Sequence, residues 1–187
     1  AQGRVGDAPN YIGSELDFHL NVFSLARFAG AYGLPNLPNI PVAVSGAASL
    51  TPDGIRIRGP LFARAGELRA QLGGLLTLAS GLVGSDIGFK LGGPSLSNLV
   101  GAFVPGVSAP DISFIFGGGL RIGKNRDFVF RDVKGRIGKS LVQIAGSLKP
   151  TAGLVGTRLD IKAEGPAFEE LVTSVEGITV YPGSYSL

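Results

Sequence analysis

Apolar residues recur at every second position in short runs along much of this chain. Leu16, Phe18 and Leu20 alternate with Glu15, Asp17 and His19, and Ile55 and Ile57 alternate with Arg56 and Arg58. Ile87, Phe89 and Leu91 oppose Asp86 and Lys90, and Ile112, Phe114 and Phe116 form a row whose outer side is blurred by Ile115. Phe128 and Phe130, Val142 and Ile144, then Leu159 and Ile161 continue the pattern. Successive side chains of a strand point to opposite faces, so a period of two predicts strands with one apolar and one wet face. One-sided alternation of this kind marks an antiparallel sheet.

Between these runs the spacing becomes helical. Leu25, Phe28, Ala29 and Tyr32 fall on one stripe, as do Leu96, Leu99, Val100 and Phe103, and then Phe168, Leu171, Val172 and Val175. Ser24 and Ser95 suit N-caps, and Pro166 suits a helix start. The pattern predicts one short helix per segment, its stripe packed on the sheet.

The segments repeat. "GSELDFHL" begins at Gly13, "GSDIGFKL" at Gly84 and "GTRLDIKA" at Gly156, spaced 71 and 72 residues apart. Each is followed by a helix-like stretch and then by another strand-like one. "DGIRIRGPLFARAGELRAQLGGLLTLASGLVGS" lies over "RDFVFRDVKGRIGKSLVQIAGSLKPTAGLVGT", both ending in Gly-Leu-Val-Gly before Ser or Thr. A fixed period of this kind is the signature of a repeat architecture. The expected organisation is one array of units at approximately 13–83, 84–155 and 156–187, the last cut short.

Composition narrows the class. Of 187 residues, 44% are hydrophobic and only 17% charged, and 30 Gly and 12 Pro break the apolar surface into short pieces. The net charge is +3, with Lys and Arg scattered along the sequence, so nucleic acid is not an expected partner. There is no Cys, which excludes disulfides and thiolate metal sites. The lack of Met and the start at Ala1 point to an excerpt or a processed product. The weakly polar run from Gly73 to Gly84 is short of the roughly 20 residues that span a bilayer.

Chemistry-bearing motifs are weak. "GGLRIGKN" from Gly118 approaches a phosphate-binding loop but ends in Asn125, and "VKGRIGKS" has Val133 where the first Gly belongs. Both read as Gly-Lys turns between strands. His19 shares its face with Glu15 and Asp17 but has no partner nucleophile, and no Ser stands in a G-x-S-x-G elbow. Asp17 recurs as Asp160 but becomes Gly88 in the middle unit, which fits a solvated face or a charged strand edge. No acid–base constellation, metal site or cofactor motif emerges, and an enzyme is not expected.

The order of strand, Gly-Pro break, short helix and further strands, carried by "LDIKAEGPAFEELV", "FRDVKGRIGKSLVQIAGSLKP" and "GSDIGFKLGGPSLSNLV", resembles the AsmA-like family of bacterial envelope proteins, TamB-type relatives included. The resemblance covers nearly the whole chain, although "NVFSLARF" replaces the Gly-Pro break in the first unit. It implies a mainly β fold, a long curved antiparallel sheet forming a taco-like groove. It also implies a periplasmic location, an inner-membrane anchor outside this chain, and transport of phospholipid or other acyl lipids between membranes. The groove lining would be Leu16, Phe18, Leu20, Ile55, Ile57, Ile87, Phe89, Leu91, Ile112, Phe114, Phe116, Phe128, Phe130, Val142, Ile144, Leu159 and Ile161. On that reading Phe114→Asp blocks transport and spares the fold. The alternative is a structural repeat scaffold whose apolar faces close into a core without ligand. An outer-membrane barrel is disfavoured by the absence of Trp and by short strands.

Overall fold

A computed structural model describes residues 1–30, 38–79, 82–103, 109–149, 155–166 and 185–186. Its elements are β1 (Gln2–Arg4), β2 (Glu15–Val22), α1 (Leu25–Gly30), β3 (Val42–Thr51), β4 (Gly54–Ala65), β5 (Leu68–Leu76) and β6 (Asp86–Gly93), followed by α2 (Leu96–Phe103), β7 (Phe114–Ile122), β8 (Phe128–Ile137), β9 (Ser140–Leu148), β10 (Arg158–Gly165) and β11 (Tyr185–Ser186). Among the described residues all strands join one open sheet, antiparallel throughout, in strict chain order from β1 to β11. The protein is mainly β, as the alternation predicts.

Register places side chains of one kind on each face. Leu20, Val44, Ala63, Ala70, Leu91, Phe116, Gly135, Val142 and Ala163 form one cross-strand row, and no charged residue lies on this face from β2 to β10. Phenylalanines here face glycines. Phe18 pairs with Gly46, Phe89 with Gly118, Phe114 with Gly93, Phe116 with Gly135 and Phe130 with Gly146. Glycine leaves room for the neighbouring ring. An ideal Cβ on Gly93 would stand 3.3 Å from the Phe114 ring, and one on Gly135 would collide with the Phe116 ring. At Gly93 and Gly135 glycine thus serves as a packing device, small against large across the ladder.

The sheet is curved. Phe114, Val133 and Val142 are 3–5% exposed. Extensive contacts nevertheless run only between consecutive strands, with no second layer among the described residues. Side chains of one face reach that burial only by crowding together. Irregular register at β3–β4, β4–β5, β7–β8 and β8–β9 supplies the bends.

Among the described residues neither helix makes extensive contact with the sheet, although Leu25, Leu96, Leu99 and Val100 are half-buried. Both start beside a strand end, and each hangs from the next connection: Leu25 N–H donates to the Ile40 carbonyl, and Leu96 N–H to that of Ile112. Ser24 and Ser95 cap them, each accepting from the backbone N–H three residues on at 3.1 Å. The strands they join are neighbours, so the chain only has to turn and never crosses a face. Tyr32 and the third stripe, Phe168, Leu171, Val172 and Val175, lie outside the described residues, as do the side chains of Phe28 and Phe103.

The units close with a repeated latch. Ser14 Oγ accepts from Gly6 N–H, Ser85 Oγ from Thr77 N–H and Thr157 Oγ1 from Lys149 N–H, at 2.9, 3.0 and 3.1 Å. The preceding Gly13, Gly84 and Gly156 adopt φ of +85°, +92° and +84°, which only glycine takes without strain. This explains the recurring Gly-Ser or Gly-Thr at each unit start. Ser85 is fully buried. Ser85→Ala is expected to cost about 1–3 kcal/mol, because the Thr77 N–H loses its partner; urea denaturation measures it.

Candidate functional site

Sixteen of the seventeen residues expected to line a groove share the apolar face by register. Ile112 is the exception. It lies in the connection before β7, where its carbonyl receives the Leu96 N–H. Ile112, Phe114 and Phe116 share the spacing of one strand, but the strand begins only at Phe114.

The structure adds members that alternation concealed. Val42, Val44, Leu61, Leu72, Leu120, Ile122, Val133 and Ile137 lie on the same face. Between Phe130 and Val133 a bulge inserts an extra residue, shifting the period by one. Ser140 sits where the first unit has Leu68; its Oγ is buried and finds no partner among the described groups.

Exposure along the face is uneven. Its middle is packed, whereas Leu16, Leu20, Leu159 and Ile161, on β2 and β10, are 36–54% exposed. Large apolar side chains of this face therefore meet solvent on β2 and β10. Two depressions lined by described residues open on the other face. The larger, roughly 1090 Å³, lies at the ends of β4 to β7 beside the Gly66–Glu67 turn and Pro94.

That polar face carries a repeated ion pair. Arg58 reaches across β3 to Glu15 at 3.1 Å and Asp17 at 3.6 Å. One unit later Arg131 reaches across β7 to Asp86. Each arginine springs from an irregular stretch of register, and Arg131 lies over Gly119, whose lack of a side chain opens the path. Asp17 is thus held on a solvated face by a cation. Exposed pairs of this kind contribute about 0.2–1 kcal/mol each. His19 stands on the same face opposite Ser45, and Gly138 and Lys139 turn β8 into β9.

No family model, curated protein or solved structure matches this chain at a significant level.

Proposed function

We propose that the apolar face binds acyl lipids. The chain would form a segment of a periplasmic, AsmA-like conduit that passes phospholipid between inner and outer membranes and supports outer-membrane biogenesis. The observation that carries this reading is a face free of charge across nine consecutive strands, with large apolar side chains exposed at both ends. Each buried methylene contributes about 0.8 kcal/mol. That attraction has no direction, so a chain can slide from one row to the next. The reading assigns no catalytic chemistry and no cofactor. Its anchor would lie outside this chain.

The burial of Phe114, Val133 and Val142 favours a second reading, a scaffold whose central face is simply core. A fluorescent fatty acid added to detergent-free protein separates the two. Conduction predicts saturable binding that weakens at least tenfold in the double variant Leu20→Asp/Ile161→Asp, both positions being exposed, with the melting temperature nearly unchanged. Absence of binding, and of co-purified lipid in native mass spectrometry, leaves the scaffold and removes the conduit.

A further inference from the structure

We propose that the hollow on the polar face at the ends of β4, β5 and β6 binds a phosphate-bearing anion, held by Arg64, Arg69 and Lys90. The register brings Arg64 directly opposite Arg69, two residues on either side of a tight turn. Opposed like charges destabilise a ladder. An intervening anion turns that repulsion into two charge-assisted contacts, and guanidinium forks match phosphate oxygens well.

The surroundings favour the anion. Neither Arg69 nor Lys90 forms an ion pair with a described residue, and Arg64 donates through Nε to the Gly66 carbonyl at 2.9 Å, which fixes its guanidinium toward the turn. His19 and Lys90 line the same hollow, against a single carboxylate, Glu67. Two other arginines on this face are answered by acids: Glu15 and Asp17 meet Arg58, and Asp86 meets Arg131. The arrangement is also specific to this place in the array, since in the equivalent hairpin of the second unit Arg136 opposes Leu141. In the sequence these cations look scattered; pairing of the strands brings them together.

Inorganic phosphate, compared with chloride at equal ionic strength, tests the site by calorimetry and thermal melting. Phosphate is expected to raise the melting temperature. Arg69→Gln should reduce phosphate affinity at least tenfold and leave the melting temperature in phosphate-free buffer unchanged or higher, because a repulsion is removed. Arg56→Gln, an exposed arginine on the same face outside the hollow, should leave binding intact. Vesicles of phosphatidylglycerol in phosphatidylcholine form a second arm. Arg69-dependent binding of vesicles without binding of free phosphate identifies a lipid headgroup; Arg69-dependent binding of free phosphate identifies a small phosphate or its ester. The proposal fails if phosphate acts no more strongly than chloride and vesicles do not bind. It fails equally if Arg56→Gln weakens binding as much as Arg69→Gln, or if Arg69→Gln lowers the melting temperature without phosphate. Vesicle binding through the apolar face would persist in Arg69→Gln, so vesicle binding that does not depend on Arg69 counts against this site and leaves the acyl reading standing.

Discussion

Phe114→Ala is expected to destabilise the protein by about 3–5 kcal/mol, the range for removing a buried aromatic ring. Phe114 is 4% exposed, packs its ring 6.0 Å from that of Phe116, and covers Gly93. The next residue supplies the control. Ile115 faces the opposite side and is 44% exposed, so Ile115→Ala should cost less than about 1 kcal/mol. Urea titration of both variants measures the contrast, and equal costs would show that the two faces are wrongly assigned. The same burial overturns the expectation that Phe114→Asp spares the fold. A carboxylate there would be buried without a partner. Position 114 therefore reports on folding, and the proposed lipid binding is tested at the exposed ends of the face.

A single added methyl group should distinguish the faces again. Gly118→Ala is expected to cost about 1–3 kcal/mol through overpacking. Its Cβ would stand 2.6 Å from the Val133 Cα and 2.7 Å from the Val133 Cγ2. Val133 cannot retreat, being 3% exposed and fixed just after the bulge. Gly73→Ala places the same methyl group on the polar face, with nothing within 4 Å of its Cβ. There the change should be neutral or stabilising by about 0.4–1 kcal/mol, because the unfolded chain loses freedom. Thermal melts of the two variants should move in different directions or by clearly different amounts.

The sequence was most legible where one face is apolar and the other charged. Strand β2 shows Leu16, Phe18 and Leu20 against Glu15, Asp17 and His19, and its strand character needs no neighbour to be recognised. Strand β3 was harder, because Gly46, Ala47, Ala48 and Ser49 erase the contrast between faces. In β8 the bulge shifts the period, so Val133 and Ile137 seem to belong to the wrong side. The helical stripes were visible, but spacing along one helix says nothing about what it touches, and both helices remain at strand ends. Local pattern thus reached the apolar face and most of its members. The Arg64–Arg69 opposition and the ion pairs across β3 and β7 depend on register between distant segments, which alternation within one strand does not contain.

Strict chain order among the strands has a consequence for how such a molecule is made and lengthened. Each strand's partners are the strands synthesised immediately before and after it. Loop-closure entropy stays small at every step, so assembly can advance from the first strand onward without waiting for the far end of the chain. Nothing in the sheet requires a fixed total, and a new period needs only the interface that the previous one already presents. Gene duplication in steps of one period would therefore extend the molecule like sections added to a ladder, with reach adjusted to the distance to be spanned and the packing within each section left untouched.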